Sequence, residues 1–176
     1  MRVVAGELGG RRLATPGKRA DVRPTADRVR EALFSILGDV LGANVLDLYA
    51  GTGALAIEAL SRGAATATLV DTDPGLAERN VTELGLGDRA TVVRADAGAF
   101  LRRERGSFDL VFCDPPYKLA HRLGQELDKT LPQRLAPGAA VIAESDCRRP
   151  LELALPLTDE RRYGDTLLRI HAVPAE

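Results

Sequence analysis

The stretch Leu46-Asp47-Leu48-Tyr49-Ala50-Gly51-Thr52-Gly53-Ala54 sets a buried, strand-like run directly against a glycine turn and then a helical run. Glycine at such a turn lets the backbone come close to a ligand and leaves the first amides of the following helix facing it. The same alternation extends along the chain. Strand-like runs at 45–49, 66–70, 90–94 and 108–113 are interleaved with helical runs at 54–60, 74–84, 97–101 and 119–131. Repeated β-α units predict a parallel sheet covered by helices on both faces, with any ligand at the carboxyl ends of the strands. The tail breaks this rhythm. Residues 139–144 form one more strand, and runs at 157–163 and 166–173 flank the turn signal Gly164-Asp165. The expected fold is therefore α/β and Rossmann-like, with a mostly parallel seven-stranded sheet that ends in a C-terminal antiparallel hairpin.

Upstream of the first strand, Val29, Ala32, Leu33, Ile36 and Leu37 recur at helical spacing, with Thr25 available as N-cap and Gly38 as terminator. Residues 1–20 alternate short apolar stretches with Gly6, Gly9, Gly10, Pro16 and Gly17. That pattern reads as a small β-hairpin arm turning at Gly9-Gly10 and lying outside the core. The expected division is an arm at 1–22 and a domain at 23–176.

The chain has 176 residues, 45% of them hydrophobic and 28% charged, which suits a globular protein with its own core and excludes disordered and collagen-like classes. Two cysteines, Cys113 and Cys147, make no disulfide framework and point to a reducing compartment. No apolar run approaches the roughly 18 residues of a membrane span, and the N-terminus lacks a signal-peptide core, so a cytoplasmic protein without membrane contact is expected. His121 and His171 do not join the cysteines in a zinc-ligand spacing, so no metal is expected. The net charge of −1 conceals a polarity: residues 1–30 sum to +5 and the remaining 146 to −6. A basic N-terminal segment carrying Arg2, Arg11, Arg12, Arg19 and Arg23 can bind phosphates, or it can be a solvated face of an arginine-rich chain.

Asp71 ends the second strand, 20 residues after Gly51. At that separation a carboxylate can accept hydrogen bonds from both hydroxyls of a ribose. Asp73 precedes Pro74 and reads as a helix cap, which leaves Asp71 for a ligand. Asp96, just past the third strand, can meet an adenine amino group or cap the helix that starts at Ala97. These features fit any adenosine-bearing cofactor, a dinucleotide included.

The fourth strand narrows the choice, because it runs into Asp114-Pro115-Pro116-Tyr117. Two prolines hold an extended loop and remove two amide donors, leaving a carboxylate and bare carbonyls in the cleft. Such a surface accepts hydrogen bonds and cannot return them. It suits an exocyclic amino group, held by Asp114 and the Pro115 carbonyl with its lone pair aimed at an electrophile. Tyr117 offers a flat face for an unstacked base, worth about 1–3 kcal/mol.

Asp114 to Tyr117, together with the loop from Asp47 to Gly53, resembles the motif pair of class I S-adenosylmethionine methyltransferases that act on amino nitrogens. A narrower resemblance lies in Arg23-Pro-Thr25-Ala-Asp27-Arg28-Val-Arg30-Glu31-Ala-Leu-Phe34. That segment, Gly10-Arg11-Arg12-Leu13, Glu58-Ala-Leu-Ser-Arg62-Gly-Ala64 and Tyr163-Gly164-Asp165-Thr166 are similar to the RsmD family, bacterial 16S rRNA guanine-N2 methyltransferases. The resemblance implies a class I methyltransferase fold and S-adenosylmethionine as cofactor, released as S-adenosylhomocysteine. It places the methionine part on the loop holding Asp47, Tyr49, Gly51 and Gly53, the ribose on Asp71, and the adenine on Asp96 and Ala97. It implies that Asp114, Pro115, Pro116 and Tyr117 hold the guanine, that Thr25 and Arg28 lie near cofactor or RNA, and that the arm grips RNA. The implied partner is 16S rRNA, alone or in a 30S subunit, bound by a monomer. Ser35 replaces the family's usual Asn, and Asp71 its usual Glu, which keeps the carboxylate one methylene shorter. Two other readings stay open: the same chemistry on DNA adenine or protein glutamine, and a nucleic-acid-binding module with a vestigial cofactor site.

Overall fold

A computed structural model describes residues 1–17, 24–116 and 120–175. Four β-α units and a fifth strand follow helix α1 (Pro24–Leu37): β1 (Asn44–Leu48), α2 (Ala54–Ser61), β2 (Thr66–Asp71), α3 (Gly75–Glu83), β3 (Ala90–Arg94), α4 (Ala97–Arg103), β4 (Phe108–Cys113), α5 (Ala120–Thr130) and β5 (Leu135–Asp146). Strands β6 (Leu157–Tyr163) and β7 (Thr166–Ala172) complete the chain. They form one seven-stranded sheet in the order β3-β2-β1-β4-β5-β7-β6, in which β7 pairs antiparallel with both neighbours and the remaining pairs are parallel. The strand order reverses between β1 and β4, so the loops above those two strands diverge and open a crevice. The two-residue turn between Tyr163 and Thr166 carries Gly164 at φ 62°, as its glycine suggests.

Strand alternation sends side chains to two separate layers. Val45, Leu69, Leu110, Phe112 and Ile142 pack under α1, α2 and α3, whereas Leu46, Leu48, Val70, Val111 and Val141 pack under α4 and α5. Among the described residues no helix is long and apolar enough to cross a membrane.

The start of α1 lies two residues earlier than expected, so Thr25 is its second residue instead of its cap. Gly38 does terminate it, at φ 71° with its N–H donating to the Phe34 carbonyl at 3.1 Å. The buried stripe is rotated from the expected one: Val29, Leu33 and Phe34 are buried while Ile36 is exposed. The rotation has an electrostatic cause, because Arg30 occupies a core-facing position where it meets the buried Glu58 carboxylate at 3.4 Å.

The arm also departs from expectation. It is a hairpin, with Arg2 bridged to Arg12 and the Val3 N–H donating to the Arg11 carbonyl at 3.0 Å. It is not, however, outside the core. Val3 and Leu13 are buried in the layer under α1 and α2. Glu58 of α2 accepts hydrogen bonds from the Val4 and Ala5 amides at 2.7 and 3.0 Å, and Arg62 pairs with it at 2.9 Å. The Ser61 hydroxyl and carbonyl receive the Leu8 and Glu7 amides, and Gly6 sits so close to α2 that a Cβ would fall 1.9 Å from the Ser61 oxygen. Asn80 of α3 clasps Ala14 through both its backbone groups. The boundary between residues 22 and 23 lies outside the described residues.

Candidate active site

The loop after β1 is held in strained backbone. Tyr49 has φ 66°, a region costly for a residue with a side chain, and Gly51 and Gly53 follow at 56° and 77°. A Cβ at Gly53 would come 2.6 Å from the Leu69 side chain, so this position admits only glycine without repacking. Two carboxylates fasten the loop. Asp71, at the end of β2, accepts the Gly51 N–H at 2.8 Å through one oxygen and the Asp73 N–H at 2.8 Å through the other. Asp47, buried on the α1–α3 side of β1, accepts the Ala56 N–H at 3.2 Å and so ties the first turn of α2 to the strand. Burial pushes the Asp47 carboxyl up to about 7, against the pull of the Ala56 amide and with a further push from Asp71.

Over the crevice lies a cavity of about 320 Å³. Asp71 and Thr72 line it from β2, Asp96 and Ala97 from the β3–α4 turn, Tyr49 from β1, and Asp114, Pro115 and Pro116 from the end of β4. Val70 and Ala95 supply apolar wall. Sequence reasoning thus brings Tyr49, Asp71, Asp96, Ala97 and Asp114 to one place. Asp47, Gly51 and Gly53 stand behind that wall and shape it. Asp96 does both things considered for it: it caps α4 by accepting the Ala99 N–H at 3.0 Å, and it faces the cavity. The cap expected at Asp73 is absent, since α3 starts from Pro74 with no side-chain cap and Asp73 instead donates its N–H to Asp71.

Asp114 differs from the others. Among the described residues no donor reaches its carboxylate, and burial, then Glu144, then Asp47 hold its carboxyl well above the ordinary range. Glu144, in β5, is raised by burial as well. Sequence reasoning gave Glu144 no role; the one available signal was an acidic residue ending an otherwise apolar strand. Burial also raises Tyr49 and Cys113, keeping both uncharged. Arg28, Arg2, Arg11 and Arg12 are exposed, while Tyr117, Arg19, Arg23 and the side chain of Thr25 lie outside the described residues. Among the described residues no group of three His, Cys, Asp or Glu side chains is placed to hold a metal.

Against this geometry, the family described as "Conserved hypothetical protein 95" matches residues 1–172. The chain belongs to the RsmD family. "Ribosomal RNA small subunit methyltransferase D" of Escherichia coli K12 is 42% identical over 122 residues, which cover 67% of this chain and 61% of that protein. "Putative rRNA methyltransferase YlbH" of Bacillus subtilis 168 is 37% identical over 190 aligned positions, covering 97% and 98% of the two chains. The solved structure titled "Putative methyltransferase yhhF from Escherichia coli" superimposes with a TM-score of 0.87 at 34% identity, over 100% of this chain and 99% of that one. The RsmD sheet is accordingly the class I methyltransferase sheet, with its antiparallel strand β7 inserted between β5 and β6.

Proposed function

We propose that this chain methylates the exocyclic N2 of a guanine in 16S rRNA, with S-adenosylmethionine as methyl donor. The observation that carries the reading is the donor-free acceptor group of Asp114, Pro115 and Pro116 on the same cavity wall as Asp71 and Asp96. The names of the relatives support a methyltransferase acting on rRNA.

The cavity suits the cofactor chemically. Each Asp71 oxygen takes one backbone N–H and keeps a lone-pair direction for a ribose hydroxyl; Asp96 keeps one for an amino group beside the apolar Ala97. When bound, S-adenosylmethionine supplies a sulfonium-activated methyl carbon and leaves as S-adenosylhomocysteine. The protein's contribution is alignment and exclusion of water, which can provide several kcal/mol without a strong base. Asp114 and the Pro115 carbonyl hold the two N2 protons. The nitrogen lone pair then points away from them and toward the methyl carbon. Burial that raises Asp114 makes its carboxylate a better acceptor for the proton that N2 must release. Tyr117 stacks on the base, and the arm at 1–22, through Arg2, Arg11, Arg12 and Arg19, holds rRNA phosphates together with Arg23 at the start of the domain at 23–176. Thr25 and Arg28, at the start of α1, approach the cofactor or the RNA backbone.

Transfer of tritiated methyl from S-adenosylmethionine to 30S subunits, free 16S rRNA, duplex DNA and ribosomal proteins tests the reading. N2-methylguanine in the rRNA, lost in Asp114→Ala, is the expected result. Label on DNA or protein would keep the cofactor site and overturn the substrate.

A further inference from the structure

The register of β4 and β5 pairs Cys113 with Ala143, so Asp114, the first residue past β4, stands beside Glu144 of β5. Both continue the set that faces α1–α3: Phe112 and Ile142 precede them on that side, and Leu168 lies opposite Glu144 across β7. Asp47, two strands away on β1, belongs to the same set. Asp114 lines the opening, and Glu144 and Asp47 stand behind it, close enough to act on its charge. Only Asp47 has a protein donor there; among the described residues neither Asp114 nor Glu144 receives a hydrogen bond.

Asp114 and Glu144 are half-buried, and acceptors partly withdrawn from water without a protein donor are open to donors that a ligand supplies. The face of guanine that carries N2 offers two donors in line, the N2 amino group and the adjoining N1–H. Adenine and cytosine present a lone pair beside the amino group instead. Two neighbouring carboxylates match the first arrangement and repel the second.

We propose that Glu144 selects guanine by accepting its N1–H while Asp114 and the Pro115 carbonyl hold N2. This rests on the guanine-N2 reading above and adds the residue that reads the base. Burial raises both carboxyls, and the neighbouring Glu144 adds to the push on Asp114.

The test uses 16S rRNA rebuilt by ligation with 2-aminopurine at the guanine that the wild-type protein labels. That base keeps the N2 amino group and replaces N1–H with a lone pair. Wild type is expected to lose roughly a hundredfold or more in kcat/KM on it, because a site built to accept a hydrogen bond rejects an analogue that cannot donate one. Glu144→Gln, whose amide can turn to donate to N1, is expected to narrow the guanine preference to less than tenfold. The ratio of RNA dissociation constants, measured on the S-adenosylhomocysteine complex, should narrow in parallel, with unchanged cofactor affinity. A folded Glu144→Gln that keeps the wild-type preference overturns the assignment. Should that variant fail to fold, Glu144→Ala takes its place: a guanine preference below tenfold supports Glu144 as the reader, and the wild-type preference overturns it. Absence of any labelled guanine overturns the underlying reading instead, so the two failures are distinct.

Discussion

Beneath α1, Glu58 is completely buried and receives the Val4 and Ala5 amides and the Arg62 guanidinium, with Arg30 at 3.4 Å. At the carboxyl edge of the same sheet face, Asp114 and Glu144 are half-buried and receive no donor from the described residues. A buried carboxylate surrounded by donors belongs to the architecture, and it spends its bonding capacity on fastening the arm to α2. A half-buried carboxylate without such donors keeps that capacity for something else. The contrast separates the part of the molecule that holds its shape from the part that recognises.

Removing one charge from each region sharpens the contrast. Asp114→Ala is expected to cut kcat/KM for rRNA about a thousandfold, ~4 kcal/mol, while the melting temperature holds or rises because an unpaired buried charge is gone. Activity within tenfold of wild type would break the distinction at its functional end. Glu58→Ala should do the reverse: a stability loss of about 3–5 kcal/mol in denaturant titration, since Arg62 loses its buried partner and Arg30 keeps, among the described residues, only the carboxylate of Asp27. Amide exchange at Val4 and Ala5 should accelerate with it, and slow exchange there would mean that the arm is held by Val3 and Leu13 alone.

Asp47 lies between the two regimes, with one backbone donor and a carboxyl pushed up to about 7. Its folded value lies above the unfolded one, so the folded chain binds this proton more tightly. Its contribution to stability is therefore greatest below about pH 4 and falls as pH rises to about 7, where it levels off. Asp47→Asn should remove that slope, and the gap between variant and wild type should widen by up to about 3 kcal/mol from pH 4 to pH 8. Parallel melting curves across that range would show that the carboxyl is not perturbed.

Smaller effects follow. Asp71→Ala removes both the brace on Gly51 and a ligand acceptor, and calorimetry should show cofactor affinity lower by about 10- to 100-fold. Unchanged affinity would reduce Asp71 to a loop fastener. Replacing Arg11 and Arg12 together by Ala should weaken rRNA binding only several-fold near physiological salt, and should lower the salt-dependence slope by about 2. An unchanged slope would place the phosphate contacts elsewhere.

The site was legible where chemistry is written locally. Asp114-Pro115-Pro116 announces acceptors without donors, and Gly51 and Gly53 announce positive φ, because both properties reside in single residues and their bonds. Asp73 was misread because Asp-Pro before a helix is a local signal for a cap, yet the Asp73 amide is drawn to Asp71 and the helix starts one residue later. Val3 and Leu13 carry no helical or strand periodicity, so their burial follows from the surface that α2 offers them. Arg30 counts in the sequence only toward the positive balance of residues 1–30, and its burial follows from Glu58 standing opposite it.

By itself the sequence determined the alternation of strands and helices, the antiparallel tail, the strained loop after β1 and the acceptor loop after β4, since periodicity and backbone preference act over a few residues. The strand order β3-β2-β1-β4-β5-β7-β6 belongs to the tertiary structure alone, and with it the meeting of Asp114 with Glu144, 30 positions apart. Register and order are settled by which apolar faces cover each other across the whole chain. That is the physical reason why each carboxylate could be seen in the sequence and their pairing could not.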